Sequence, residues 1–315
     1  AGRRPSVSKR ENPQVTQALL TFAAGIAVVM LLFFLTRPAP YAFVDLVEAE
    51  TPVVRSAFIA EATRLADEVG GGLTLANNVL PPIAIPDKRA LAADRATDLL
   101  VITWYPTREA GELALAARKD WADQFVRRTY ATQPINPLAL KMSSAVLFTL
   151  GLFNRAALPE GEYDQQIESL IRTAGIVQGA GIYEGNWAEQ LRLSDNQPVW
   201  MLNFLEYAEE ANYGDHARMG STESISGAEA YDRYFNEMAA SLAAVGGRVA
   251  FASTAPEPLP GTDDGQWHNI SIATYPSMQA LITMYAQTAY RDAHVHRIAG
   301  LARTRLVATQ PIAEE

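Results

Sequence analysis

The chain contains no cysteine and only four histidines among its 315 residues. Without cysteine it can form no disulfide bond, iron–sulfur cluster, cysteine-ligated zinc site or CxxCH attachment of c-type haem. The HExxH, GxSxG, Walker A and protein-kinase motifs are also missing from the sequence, so common zinc-protease, serine-hydrolase and nucleotide-dependent chemistries have no support. We therefore predict no metal site and no cofactor.

Basic residues are scarce outside the N-terminus. The chain has 26 Lys and Arg against 35 Asp and Glu, for a net charge of −9. Binding to phosphate backbones requires concentrated Lys and Arg, so nucleic acid is not a predicted partner. The exception is residues 1–14, which carry Arg3, Arg4, Lys9 and Arg10 against the single acid Glu11. We interpret this segment as a basic cytoplasmic tail.

One long run lacks charge altogether: residues 12–36, within which Ala18–Leu35 is almost entirely apolar. A helix that crosses a bilayer needs about 20 mainly apolar residues. We predict a transmembrane helix over residues 15–36. Because basic residues precede it and acidic residues follow it, the N-terminus is expected in the cytoplasm and the bulk of the chain in the periplasm or another extracytoplasmic space. The predicted location is the inner (cytoplasmic) membrane, crossed once.

A cleaved secretory signal is the alternative for this segment. Such signals have apolar cores of about 7–15 residues followed by a small-x-small cleavage site. The run here is longer, and cleavage after Ala39 or Ala42 would place Arg37 or Pro40 at the minus-three position. An uncleaved anchor is therefore favoured.

The apolar segment also contains small residues that let a neighbouring helix approach closely. They are Ala23, Ala24, Gly25 and Ala27. We accordingly predict that this segment contacts the lipid bilayer and other membrane-protein subunits. The extracytoplasmic part of the chain is expected to contact the same subunits.

The rest of the chain contains an internal repeat. Tyr130–Ile135 (YATQPI) recurs as Val307–Ile312 (VATQPI), and Thr103–Thr107 (TWYPT) recurs in the same order as Ala273–Ser277 (ATYPS). A duplication explains better than chance why these motifs occur in the same order in both halves. The predicted division is a first repeat over residues 37–137, a connector over residues 138–198 and a second repeat over residues 199–315.

Each repeat has the pattern strand, helix, strand, strand, helix, strand. Thr51 and Ser226 are expected to cap the first helices, and a second-repeat stripe at helical spacing is expected to be buried: Tyr231, Phe235, Met238, Leu242 and Val245. This order is that of the ferredoxin-like unit, an α+β fold. Its sheet has helices on one face only, so we predict that the two repeats cover each other as an intramolecular dimeric α+β barrel. A barrel formed between two chains is the alternative.

The connector contains an apolar run, Met142–Phe153, that is too short to span a membrane. We interpret it as a buried or interfacial helix, and we predict a further helix over Tyr163–Thr173.

The second repeat resembles the DUF1330 family of the dimeric α+β barrel superfamily. The resemblance is clearest over residues 199–312 and is carried by Val199–Leu205, Ala230 with Tyr231 and Tyr234, Gly246–Val249, Tyr275–Ser277 and the run from Tyr290 through His294, His296 and Arg297 to Leu301. Residues 40–137 are a diverged copy, in which Asp45 stands where Asn203 does and Asp120–Arg128, without histidine, replaces the Tyr-His-Arg helix. The resemblance implies the fold. It does not imply one activity, because the superfamily includes monooxygenases, haem enzymes, isomerase-like proteins and non-catalytic binders.

The resemblance and the helical spacing together suggest a ligand pocket made of Asn203, Tyr275, Tyr290, His294 and Arg297. If residues 289–302 are helical, Tyr290, His294, Arg297 and Leu301 share one face that would open onto the barrel. Such a set could bind a small anion or perform acid–base chemistry. The favoured alternative is that His294 and Arg297 satisfy polar groups between helix and sheet, since the first repeat lacks the set.

Metal binding by His294 and His296 is not expected, because side chains two residues apart on a helix point in nearly opposite directions. A single histidine, as in some relatives with this barrel, would still be compatible with haem ligation.

Two functional hypotheses follow. The leading one is a non-catalytic accessory subunit of a membrane complex, for example a photosynthetic or respiratory one. The other is a membrane-tethered enzyme, or a binder of haem or another small ligand, that uses the second-repeat pocket.

Overall fold

The computed structural model describes residues 40–49, 51–80, 97–118, 121, 125–135, 140, 156, 197–214, 224–260, 262 and 265–312. These residues belong to one compact unit, Ala39–Glu315. The predicted basic tail, the transmembrane helix with its small residues, and both connector helices lie outside the described ranges. Within those ranges no helix is long and apolar enough to cross a membrane.

The first repeat follows the predicted order of elements: β1 (Tyr41–Glu48), α1 (Pro52–Glu68), β2 (Gly72–Val79), β3 (Leu99–Tyr105), α2 (Arg108–Ala117) and β4 (Val126–Pro134). Thr51 caps α1 by accepting a hydrogen bond from the Val54 amide, with Pro52 in the first turn. The turn into β2 requires glycine, because a Cβ at Gly71 would collide with the carbonyl oxygen of Trp104.

The second repeat contains β5 (Val199–Tyr207), α3 (Gly227–Ala244), β6 (Arg248–Pro258), β7 (Asn269–Tyr275), α4 (Met278–Ala286), α5 (Thr288–Gly300) and β8 (Leu301–Pro311). Ser226 caps α3 as predicted, and Glu229 completes a capping box with it. Ser277 caps α4 as Thr107 caps α2, which confirms that the Tyr-Pro-Ser/Thr motif begins a helix in both repeats.

Two local predictions were wrong. Phe235 is 41% exposed, whereas Tyr234 is buried, because the stripe of α3 that faces α5 and the sheet runs through Ala230, Tyr234, Met238 and Ser241. Leu301 does not extend the face of Tyr290, His294 and Arg297, because α5 ends at Gly300 and Leu301 begins β8. A Cβ on Gly300 would collide with the carbonyl oxygen of Gly227, the first residue of α3. The end of α5 therefore lies in close contact with the start of α3.

The eight strands close into one barrel in the order β1-β3-β2-β8-β5-β7-β6-β4. Two antiparallel seams join the repeats edge to edge. At one seam β2 pairs with β8, with Asn78 opposite Gln310, and at the other β4 pairs with β6, with Gln133 opposite Thr254. The barrel is therefore complete within a single chain, as the duplication predicts.

Alternate residues of each strand divide between the barrel interior and the face covered by helices. On β5, Leu202 and Phe204 point into the barrel, whereas Met201 points toward the helices. Apolar side chains from both repeats fill the interior: Ala42, Val44, Leu46, Leu75, Leu100, Ile102, Tyr130, Leu202, Phe204, Phe251, Trp267, Ile270, Ile272 and Val307. The interior is thus a packed core shared by the two halves.

Candidate functional site

Of the predicted pocket residues, Tyr275 and Tyr290 lie in the core between the helices of the second repeat and the outer face of its sheet. Tyr290 and His294 lie on α5 and are 2% and 6% exposed. Tyr275 ends β7 on the strand face opposite Ile270 and Ile272, which point into the barrel. The set therefore does not open onto the barrel interior, because α3, α4 and α5 cover the face on which it lies.

Aromatic rings pack closely around Tyr290. The ring centroids of Tyr290 and Tyr285 are 4.8 Å apart, and those of Tyr290 and His294 are 5.4 Å apart. The hydroxyls of Tyr290 and Tyr234 are 3.4 Å apart. Burial raises the pKa of Tyr290 and of Tyr275 well above the ordinary value of a phenol. Both phenols are therefore protonated at neutral pH and cannot serve as bases there.

Arg297 supplies the positive charge of this set. Its Nη2 donates to Thr304 Oγ1 at 3.2 Å, and that hydroxyl in turn donates to the Phe204 carbonyl at 3.1 Å. Burial lowers the pKa of Arg297, but the phenols around it, Tyr234 foremost, raise it more. The guanidinium thus remains charged and ties α5 to the sheet through β8 and β5.

The side chain of Asn203 bonds to the backbone of its own strand. It lies half-buried on the side of β5 that faces the helices, and its Nδ2 donates to the carbonyl of Met201 at 2.8 Å. This bond pairs the side-chain N–H group of Asn203 with a carbonyl of its own strand.

His294 and His296 contact different residues, as the helical spacing predicts. The ring of His294 packs against Tyr234, whereas His296 Nδ1 lies 2.8 Å from the Tyr213 hydroxyl and its Nε2 lies 3.6 Å from Glu237. The described part of the chain contains no group of three or more His, Asp or Glu side chains placed to hold a metal ion.

The first repeat contains a buried ion pair that sequence reasoning missed. Arg118 Nη1 donates to Asp45 Oδ2 at 2.9 Å, and both side chains are 0% exposed. Thr129 donates to the other oxygen of Asp45 at 2.5 Å. Arg118 Nη2 donates to the hydroxyls of Thr103 and Tyr105 at 3.3 and 3.1 Å. The first repeat therefore has a buried polar cluster of its own, made of residues other than the Tyr-His-Arg set that it lacks.

Aromatic rings enclose the same guanidinium. The Arg118 Cζ lies 4.9 Å from the ring centre of Phe43 and 4.6 Å from that of Trp121. Arg127, on β4, lies 5.0 Å from the Trp121 ring, and burial lowers its pKa, with nearby Arg118 lowering it further while Asp45 raises it. Cation–π contacts of this kind stabilise a cation that has lost its water.

One signal could have located this cluster. Asp45 is the only charge in the otherwise apolar run Tyr41–Val47, and a carboxylate in a buried strand needs a cationic or hydrogen-bonding partner. The sequence did not identify that partner, because Arg118 is separated from Asp45 by 73 positions.

Another buried arginine contacts the barrel interior. Arg305 of the second repeat donates from Nη1 to the Tyr130 hydroxyl of the first repeat at 3.3 Å. Its Cζ also lies 5.7 Å from the ring centre of Phe204 and 5.6 Å from that of Trp267. This contact joins the two repeats through their common core.

Residues 219–310 match the model of a domain of unknown function, DUF1330. No curated protein matches the chain. Among solved structures, RPA0582, a protein of unknown function from Rhodopseudomonas palustris, is 28% identical over 42% of this chain and 96% of its own, with a TM-score of 0.36. A dye-decolorizing protein from V. cholerae is 10% identical over 87% of this chain and 94% of its own, with a TM-score of 0.41. Chlorite dismutase from Candidatus Nitrospira defluvii, in complex with imidazole, is 10% identical over 88% and 93%, with a TM-score of 0.39.

Proposed function

We propose that the protein, whose residues 219–310 match the DUF1330 model, is a non-catalytic, membrane-anchored accessory subunit of a larger membrane protein complex. Residues 15–36 would insert among the helices of other subunits, and the barrel would cover their extracytoplasmic surface. Photosynthetic and respiratory complexes, which contain many membrane helices, are the candidate hosts.

The observation that carries this proposal is that the groups best suited to chemistry are buried in both repeats: Asp45 and Arg118 in the first, and Tyr275, Tyr290 and His294 in the second. A substrate must reach the reacting atoms of an enzyme, which normally line a concave site. Here Asp45 and Arg118 are both 0% exposed and hydrogen-bonded to each other. Tyr275 and Tyr290 lie behind helices and hold their protons. Groups in this state stabilise a fold, and a stable scaffold is what an accessory subunit requires.

Gentle extraction of the native membrane tests this proposal. We expect the full chain to co-migrate with a larger complex in fixed stoichiometry, and we expect deletion of residues 15–36 to abolish that co-migration. A full chain that is extracted as a free, monodisperse protein would contradict the proposal.

The second candidate is a membrane-tethered enzyme, or a binder of haem or another small ligand, that uses the second-repeat pocket. It is favoured by one observation: His294, Tyr234 and Tyr290 contact one another within a single buried set. A bound chromophore or a turnover that is lost in His294→Ala but kept in the matched variant His296→Ala would support this candidate over the first.

A further inference from the structure

Arg118 and Arg127 each have a buried guanidinium nitrogen that lacks a hydrogen-bonding partner among the described residues. For Arg118 this nitrogen is Nε, and its other two nitrogens are hydrogen-bonded. For Arg127, on β4, it is Nη1. Buried N–H groups of native proteins are normally paired, because an unpaired donor loses its bond to water and gains nothing in return. These two atoms therefore indicate that an acceptor is missing from this part of the first repeat.

The two arginines belong to one cluster on the helix-covered face of the sheet. Their Cζ atoms lie 4.6 and 5.0 Å from the centre of the Trp121 ring. Arg127 is opposite Val47 of β1, two positions from Asp45, and side chains two positions apart on a strand share a face. Arg127 is partly exposed, whereas Arg118 is buried. A small ion can therefore reach the cluster from the side of Arg127.

The cluster has one positive charge more than it balances internally. Arg118 and Arg127 are cations, and Asp45 is the carboxylate that acts on both. Asp45 is already bonded to Arg118 at 2.9 Å and to Thr129 at 2.5 Å. Burial and the nearby Arg118 both lower the pKa of Arg127, and Asp45 compensates for this only in part. A buried charge of this kind is unfavourable until a counter-ion pairs with it.

The second repeat shows that the fold does not require this extra cation. The repeated motifs Tyr130–Ile135 and Val307–Ile312 align Arg127 with Thr304. Thr304 is neutral, and its hydroxyl donates to the Phe204 carbonyl at 3.1 Å. Arg127 therefore distinguishes the first repeat from the second, and a bound ion accounts for it better than the needs of the fold do.

We propose that the cluster of Arg118, Arg127 and Trp121 binds a small monovalent carboxylate. One negative charge balances the excess, and two carboxylate oxygens match the two N–H donors that lack acceptors. The rings of Phe58 and Phe125 lie 5.0 and 5.6 Å from that of Trp121 and surround it with apolar surface. Such surroundings disfavour a strongly hydrated ion such as phosphate.

This inference goes beyond the proposed function. The site lies in the first repeat, and it requires neither the membrane anchor nor the second-repeat pocket. The carboxylate would stabilise the first repeat as a bound ion, without being chemically transformed.

Thermal unfolding of the full chain in detergent tests this site. Potassium formate is added at neutral pH while potassium fluoride keeps the ionic strength constant, and circular dichroism reports unfolding. We expect the unfolding midpoint to rise saturably, by about 3 °C at ten times the dissociation constant. Arg127→Met should abolish this rise. The matched variant Arg108→Met should keep it, because Arg108 is exposed and already paired with Glu112 and Glu257.

Two further measurements do not depend on the Arg127 variant. Calorimetric titration of the folded wild-type chain with formate should saturate at one site per chain. Asp45→Asn removes the negative charge of the cluster, so formate should shift the unfolding midpoint of this variant more than that of the wild type.

Any of three results would overturn the inference. The first is a wild-type chain that formate neither stabilises nor titrates, as would occur if Asp120 or Asp123, close to Trp121 in the sequence, already neutralises Arg127. The second is a formate response that is unchanged in Arg127→Met, which would place the bound ion elsewhere. The third is an equal response to potassium chloride, which would show that the site does not select a carboxylate.

Discussion

The two repeats place different polar groups at the same strand position of the fold. In the first, Asp45 on β1 forms a fully buried ion pair with Arg118. In the second, the matching strand position is Asn203, whose amide bonds to its own strand, and the positive charge of Arg297 lies among neutral phenols. The comparison indicates that this strand position accepts either a charged or a neutral polar side chain, provided that the side chain is hydrogen-bonded. The polar residues of the second repeat are therefore not by themselves evidence for catalysis.

The largest expected effect comes from breaking the ion pair. Asp45→Ala leaves the Arg118 guanidinium buried without its carboxylate, which typically destabilises a protein by about 3–5 kcal/mol. The matched variant Asn203→Ala removes only a local side-chain bond, and we expect a loss of about 1 kcal/mol. Urea unfolding of the full chain in detergent, followed by tryptophan fluorescence, measures both. Equal losses would show that the two repeats do not differ in this way.

A double variant sharpens the same comparison. Replacing both partners with apolar residues, as in Asp45→Leu with Arg118→Met, removes the uncompensated charge. Such replacements are often neutral or stabilising, so the double variant should recover most of the stability lost in Asp45→Ala. A double variant as unstable as Asp45→Ala would indicate that packing against Phe43 and Trp121 is the main contribution of Arg118.

High pH should act mainly through the second repeat. Burial raises the pKa of Tyr207 to about 12, and it raises those of Tyr275 and Tyr290 well above the ordinary value of a phenol. Above pH 10 the unfolded chain releases these protons while the folded chain retains them, so stability falls as pH rises. Each such tyrosine contributes about 1.4 kcal/mol per pH unit. Unfolding measured between pH 10 and pH 12 should therefore show a shallower loss in Tyr290→Phe.

Tyr105→Phe is the control for this effect in the first repeat. Burial also raises the pKa of Tyr105, but nearby Arg118 lowers it. The change in the pH dependence should consequently be smaller than for Tyr290→Phe. A larger change for Tyr105→Phe would contradict the account of the second-repeat phenols.

The contact between the repeats should have an intermediate effect. Tyr130→Phe removes the hydroxyl that accepts a hydrogen bond from Arg305, and bonds to charged groups contribute about 1.5–3 kcal/mol. We expect the lower end of that range, since the bond is 3.3 Å long. The exposed pair of Arg108 with Glu112 provides the comparison, because Arg108→Ala should cost less than about 1 kcal/mol. If the two losses are equal, the Arg305–Tyr130 bond adds nothing to the shared core.

The smallest difference concerns the first helix of each repeat. Both Ser226 and Thr51 cap a helix, and loss of a cap typically costs about 1 kcal/mol. Only at Ser226 does an acidic side chain, that of Glu229, accept a hydrogen bond from the backbone N–H of the capping residue. Ser226→Ala should therefore destabilise the protein a few tenths of a kcal/mol more than Thr51→Ala, a difference measurable as a shift in the urea midpoint.

Local features of the fold were predictable from the sequence. Thr51, Ser226 and the Tyr-Pro-Ser/Thr motif act within one helical turn, so their effects can be recognised from neighbouring residues. The duplicated order of motifs predicted the α+β barrel, because a sheet with one covered face needs a partner. The break between α4 and α5 at Gln287 was not predicted, since nothing in its immediate sequence forbids a continuous helix.

The candidate site was less predictable. Spacing correctly placed Tyr290 and His294 on one helix, but it could not show that α3 covers them, because that depends on contacts between distant elements. The same limit hid the partner of Asp45. A single carboxylate in an apolar strand indicates that a partner exists, whereas its identity depends on which distant arginine the fold brings near.

The seam between β2 and β8 has a consequence for biosynthesis. Asn77 bonds to Thr309 across 232 positions of sequence, so β2, which is synthesised early, must wait for β8 before this seam can form. Contacts of such long range slow folding, and an unpaired edge invites association with other chains. We therefore expect chaperone dependence to be greatest for nascent chains from which β8 has not yet emerged, and we expect chains truncated before β8 to aggregate rather than to yield a folded first repeat.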